Sequence, residues 1–127
     1  MSIGKERKGV RVMIVDDYIA LAESLRDYLI LEGFDVEVFD EALKALAELK
    51  RKDYDIVLLD LKMPNMTGEE MLRRMREYGW GIPVIILTAY PGRMSNIEGL
   101  KLDPFDFIQK PFKPAQIEEV LERIAGK

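Results

Sequence analysis

Four short segments of this chain carry side chains that could do chemistry together: Asp16-Asp17, Asp60, Thr88 and Lys110. Each follows an apolar run of strand length, namely Val10 to Val15, Ile56 to Leu59, Pro83 to Leu87 and Phe105 to Ile108. In a parallel sheet of right-handed βα units every strand points the same way, so residues just past the strands' C-terminal ends gather in one crevice. Three carboxylates, a hydroxyl and an ammonium group would then share a pocket. Three ionised carboxylates repel one another, and one would take a proton unless a cation lay among them. The 127 residues contain no His and no Cys, so oxygen atoms must hold that cation. Oxygen ligands, with room left for water and phosphate, favour Mg2+ over Ca2+. Mg2+ and Lys110 together would balance the three acids and meet the charge that develops when a phosphoryl group moves to a carboxylate oxygen.

Taken singly, these residues have structural explanations. Asp16 or Asp17 could cap the first helix, Thr88 could belong to a turn, and Lys110 could be a solvated charge before a proline. Asp60 is harder to dismiss, because it closes an apolar strand and precedes the turn segment Pro64-Asn65-Met66-Thr67-Gly68. The joint pattern outweighs the separate explanations.

The elements that must position these residues alternate along the chain. With Phe34 to Phe39 there are five strand-length apolar runs, separated by stretches of helical periodicity. That alternation predicts a doubly wound α/β fold with a five-stranded parallel sheet, (βα)5. Leu21, Leu25, Tyr28 and Leu29 share one helical stripe, as do Leu43, Leu46 and Ala47, and Leu72 with Met75. The last helix starts at Pro114, repeats apolar residues at Ile117, Val120, Leu121 and Ile124, and ends at Gly126. The fourth helical stretch, after Tyr90, contains Pro91, Gly92, Ser95, Asn96 and Gly99, all poor helix formers, and is expected to be only marginally ordered.

Length and composition bound the rest. The chain reads as one domain, residues 10–126, behind a polar tail, residues 1–9. The net charge of -4, with no clustered Lys and Arg, argues against direct nucleic-acid binding. No apolar run is long enough for a membrane span or a signal peptide, which points to the cytoplasm, and the absence of cysteine fits a reducing compartment. Thiol nucleophiles and imidazole bases are excluded outright.

Four motifs, in order, carry a resemblance: Val15-Asp16-Asp17; Leu58 to Gly68, with Asp60, Lys62, Met63 and Pro64 inside it; Leu87-Thr88-Ala89; and Asp106-Phe107-Ile108-Gln109-Lys110-Pro111-Phe112. In these the chain resembles the receiver domain of two-component response regulators, over essentially Val10 to Ile124. The resemblance implies a flavodoxin-like sheet of strand order 2-1-3-4-5. It implies Asp60 as the phosphoacceptor, and Mg2+ bound by Asp17, Asp60 and the backbone carbonyl of Lys62, with Asp16 acting partly through water. Thr88 and Lys110 would contact the phosphoryl group, Phe107 would be the aromatic switch, and Lys110-Pro111 would be cis. Phe107 lacks the hydroxyl of the tyrosine many members carry, and Asp103-Pro104 replaces the usual Gly-Ala ahead of the fifth strand. Lys62 and Tyr90 flank the acceptor, where side chains tune phosphoryl lifetime.

The resemblance also implies a route for the signal. The donor would be a sensor His kinase or a His-containing phosphotransfer protein, and the phosphorylated state would signal through the fourth helical stretch, the fifth strand and the last helix. Because the chain stops after that helix, output would pass to a downstream protein partner, unless the chain is a fragment of a longer regulator. Two other classes compete. A haloacid-dehalogenase-like phosphatase needs an Asp two residues after the nucleophile, where this chain has Lys62. A receiver-like scaffold that binds partners without phosphorylation, or an engineered variant of one, would not need every site residue that is present here.

Overall fold

The computed structural model describes residues 9–90, 92 and 102–126. They contain strands β1 (Arg11–Val15), β2 (Asp35–Phe39), β3 (Ile56–Asp60), β4 (Val84–Thr88) and β5 (Asp106–Gln109). The helices are α1 (Ile19–Leu31), α2 (Ala42–Arg51), α3 (Gly68–Glu77) and α4 (Pro114–Ala125). All strand pairings are parallel and the sheet order is β2-β1-β3-β4-β5, the doubly wound α/β arrangement expected from the sequence. The expected tail lies outside the described residues apart from Gly9, and so does the expected weak fourth helix apart from Gly92.

Successive strand residues point to opposite faces, so each central strand feeds two cores. Met13, Val15, Val57, Leu59, Val84 and Ile86 pack against α2 and α3 on one face. Val12, Ile14, Ile56, Leu58, Ile85 and Leu87 pack against α1 and α4 on the other. Strands covered on both sides must be apolar at every position, which is why β3 and β4 read as unbroken hydrophobic runs. Two of these strands run one residue further than their apolar runs suggest. Asp60 and Thr88 are the last residues of β3 and β4, held in the ladder by their backbones.

Helix faces follow the expected stripes with one exception. Leu25 and Leu29 of α1, Leu72 and Met75 of α3, and Ile117, Val120 and Leu121 of α4 are buried, with Ile124 packed against the same cluster. In α2 the expected stripe is out of phase: Leu46 is buried, but Leu43 is 51% exposed and Ala47 is exposed. The buried face is instead Ala42, Ala45, Leu46, Leu49 and a carboxylate, Glu48. Glu48 can turn inward because partners meet it there. The Tyr54 hydroxyl sits 2.9 Å from Glu48 Oε2 and 2.6 Å from Glu37 Oε2, Arg51 pairs with Glu48 at 2.9 Å, and Lys52 pairs with Glu37 at 2.8 Å. A polar network at the edge of the core thus outvotes the pattern of the largest apolar side chains.

Helices α1 and α3 stop in the same way. Gly33 and Gly79, at φ 102 and 82, take the left-handed conformation that releases the chain. Phe34 N–H then donates to Leu29 O and Trp80 N–H to Met75 O, closing both helix ends. At its start, α3 is capped by Thr67, whose Oγ1 accepts from Glu70 N–H at 3.2 Å, while Glu69 and Glu70 favour the positive end.

The first residue of α3 also fixes how close this helix comes to the acceptor strand. Gly68 N–H donates to Leu61 O at 2.9 Å, and a Cβ at position 68 would lie 2.3 Å from the Asp60 carbonyl oxygen and 2.8 Å from Leu61 Cα. Both contacts are with backbone and cannot swing aside. Gly68→Ala should therefore cost roughly 1–3 kcal/mol as overpacking. Urea unfolding reads this as a lowered midpoint, and a midpoint equal to the wild type would mean that the contact is not there.

Candidate functional site

Strand register brings the acids together. Val15 pairs with Leu59, so Asp16 leaves β1 beside Asp60 at the end of β3. Asp60 pairs with Leu87 and Thr88 with Gln109, which sets Thr88 and Lys110 at the same edge. One ligand oxygen each from Asp16, Asp17 and Asp60 lies within 4.8 Å of the others. Asp16, Asp60 and Thr88 are buried, while Asp17 faces solvent. Lys110 Nζ is 2.7 Å from Asp16 Oδ2 and 3.4 Å from Asp60 Oδ1.

Each member has a defined set of partners. Asp16 uses both oxygens, since Oδ2 takes Lys110 and Oδ1 accepts from Tyr18 N–H at 2.9 Å. This bond orders the turn ahead of α1 but does not cap it: the N-cap is Tyr18 and no side chain caps the helix, so the capping role weighed for Asp16 does not hold. Thr88 Oγ1 accepts from Tyr90 N–H at 2.9 Å, which leaves its own proton for another acceptor. The Lys110 N–H donates to Thr88 O at 2.7 Å, and the Lys110-Pro111 bond is cis. Phe107, half-buried against the α2–α3 core, pairs with Ile86, so alternation puts it on the same sheet face as Thr88.

The side chain of Lys62 is exposed and turns to Tyr90, with Nζ 3.1 Å from the hydroxyl and 5.1 Å from the ring centroid. Among the described residues, the ammonium paired with the acids is that of Lys110. Two features of the site had no expectation attached to them. One is the close approach at Gly68, which the sequence marks only as the last residue of the turn segment and motif after Asp60. The other is the pair of backbone donors, Tyr18 N–H and Tyr90 N–H, which orient Asp16 and Thr88 and leave no trace in side-chain pattern.

The electrostatics are those of an acid pocket short of positive charge. Burial pushes the Asp60 carboxyl up from an ordinary 3.8 to about 6; Asp16 adds to this, Lys110 opposes it, and Asp17 adds a little more. Burial alone would lower Lys110, but its bond to Asp16 and the charges of Asp16 and Asp60 raise it, so it stays an ammonium. One ammonium does not relieve three carboxylates. The donor set, all oxygen with Asp17 at the open side, suits a hard divalent cation.

Comparison with known proteins agrees with this geometry. Residues 12–122 match the family model of the response regulator receiver domain. The transcriptional regulatory protein TrcR of Mycobacterium tuberculosis is 36% identical over 117 residues, covering 92% of this chain and 44% of the relative. The chain spans about half the length of the curated relatives it matches. The receiver domain of the Francisella response regulator 1452 superposes with a TM-score of 0.86 at 27% identity, over 93% of this chain and 98% of that one. The response regulator protein TrrA of Thermotoga maritima, in complex with Mg2+-BeF, gives 0.81 at 26% identity, over 91% and 98%. Strand order, acid pocket and family match converge, and the chain belongs to the response regulator receiver domains, the phosphorylation-activated switches of two-component signalling.

Proposed function

We propose that residues 10–126 form the switch unit and that Asp60 is its phosphoacceptor. Mg2+ would be held by Asp17, Asp60 and the Lys62 backbone carbonyl, with Asp16 acting partly through water. The observation that carries this reading is the convergence of three carboxylates and Lys110 at one sheet edge, with Asp60 both buried and within 3.4 Å of the ammonium. That the similar protein TrrA is in complex with Mg2+-BeF supports Mg2+ as a ligand of this unit.

The reaction follows from the side chains. A carboxylate oxygen of Asp60 attacks the phosphorus of a phospho-His donor, the P–N bond breaks, and its electron pair leaves on the imidazole nitrogen. The product is an aspartyl phosphate, a mixed anhydride suited to a transient signal. These 127 residues contain no His, so the phospho-His lies outside them, in a sensor His kinase or a His-containing phosphotransfer protein. Bound Mg2+ supplies positive charge against the phosphoryl oxygens and relieves the crowded acids. Lys110 pairs first with the acceptor and then with the phosphoryl group, and the Thr88 hydroxyl turns its free proton to a phosphoryl oxygen. Phe107 shares a face with Thr88 and follows its movement.

The phosphorylated unit signals through the segment after Tyr90, β5 and α4 to a downstream protein partner. It accepts and loses a phosphoryl group without turning over other substrates. Direct nucleic-acid contact is not assigned to these residues. Among the described residues no helix is long and apolar enough to cross a membrane, and we place the unit in the cytoplasm with its donor.

Acetyl phosphate with Mg2+ should add one phosphoryl group per chain by intact mass, lost in Asp60→Asn and in excess EDTA. Turnover of many donor equivalents would mark an enzyme, and no adduct would mark a scaffold. Metal-free stability gives a second check. The folded protein holds the Asp60 proton to higher pH than the unfolded chain does, so this group favours folding below pH 3.8, and that contribution is lost as pH rises through about 6. Asp60→Asn should then melt higher than the wild type at pH 8 in EDTA, with the gain shrinking towards pH 4. An equal gain at both pH values would rule out the crowded carboxyl.

A further inference from the structure

One guanidinium at the far end of the sheet joins the two strands that carry the phosphate-reading residues. Arg76, in the last turn of α3, donates from Nη1 to the carbonyls of Trp80 at 2.7 Å and Ile82 at 3.0 Å, just ahead of β4. It donates from Nε to Leu102 O at 2.9 Å and from Nη2 to Asp103 O at 3.2 Å, just ahead of β5. The side chain is half-buried in a cleft of about 390 Å³ walled by Pro83, Pro104 and Phe105.

Strand β5 needs such a brace. It is a four-residue edge strand that pairs with β4 alone. Pro104 has no N–H to give to the ladder, and the pairing opens with Phe105 N–H on Val84 O at 2.8 Å. Ahead of it, Asp103 has φ 56, a left-handed conformation that a residue other than glycine rarely takes and that its surroundings must hold in place. At the other end the same register sets Lys110 beside Asp16 and Asp60. A slip of one residue would carry Lys110 about 3.3 Å along the strand and turn its side chain to the other face.

We propose that Arg76 is a positioning residue for Lys110: by gripping the carbonyls ahead of both strands, it fixes the offset of β5 against β4 and so the reach of Lys110 into the acid pocket. The inference rests on the role of Lys110 in phosphoryl uptake at Asp60. A planar fork with five N–H groups can serve four carbonyls on two segments at once, and an ammonium cannot.

The test is a double-mutant cycle on the whole chain: phosphoryl uptake from acetyl phosphate at saturating Mg2+, for the wild type, Arg76→Ala, Lys110→Ala and the double variant. Arg76→Ala should slow uptake about tenfold, within the range that a misplacement near 1 Å produces. The Mg2+ dissociation constant should not rise, because the acids sit on β1 and β3 and a displaced ammonium leaves them a greater demand for a cation. With Lys110 gone, removing Arg76 should change uptake no further. Arg76→Lys, which keeps the charge without the fork, should fall between and serves if the alanine variant does not fold. Hydrogen exchange provides a readout independent of activity: the Lys110 N–H should exchange faster in either Arg76 variant while β1 and β3 amides keep their rates. Wild-type uptake in a folded Arg76 variant, an equal loss in the Lys110→Ala background, or faster exchange in every strand would each overturn the proposal. A wild-type protein that takes up no phosphoryl group would remove the reading of Asp60, and this inference with it.

Discussion

The carboxylates of Asp16, Asp17 and Asp60 stand closer together than their charges favour, and the parallel ladder of β1, β3 and β4 is what keeps them there. Asp60 ends a strand whose every side chain is buried, and Asp16 leaves one buried from Val12 onward, so neither can move apart without pulling apolar residues out of the core. The pocket therefore carries an unmet demand for positive charge that Lys110 only partly answers. A site built this way is ready for a cation, because binding one relieves a repulsion already present in the folded chain.

The rest of the molecule can be understood as support for that constraint. The two cores hold the central strands from both faces, and the Thr67 cap with Gly68 lets α3 approach the acceptor strand backbone to backbone. The acids and Thr88 are placed by buried central strands, whereas Lys110 comes from a short strand at the sheet edge. The acids and the ammonium that meets them are thus held by different parts of the sheet.

Much of this was readable in the residue pattern. Apolar runs of strand length identified the strands, three of them nearly continuous because a strand covered on both faces needs such a run, and the residues after four of the runs identified the pocket. The pattern failed where polar partners came from distant segments. The helical stripe put Leu43 inward and left Glu48 outside it, and the reverse holds because Tyr54 and Arg51 meet the Glu48 carboxylate at the core's edge. The residue pattern already pointed to Lys110 as the ammonium among the acids, and the placement of β5 supplies its distances, while the Lys62 side chain turns to Tyr90.

Residue order alone settled the succession of elements, the faces of most helices, the residue types in the pocket and the exclusion of thiol and imidazole chemistry, because these depend on periodicity and composition. Folding in three dimensions set the distances that turn those residues into a site: the register that places Asp16 beside Asp60, the backbone N–H groups that aim Asp16 and Thr88, and the grip of Arg76 on the segments ahead of β4 and β5. The physical reason is that strand pairing and hydrogen bonding join residues tens of positions apart. No local pattern records such partners.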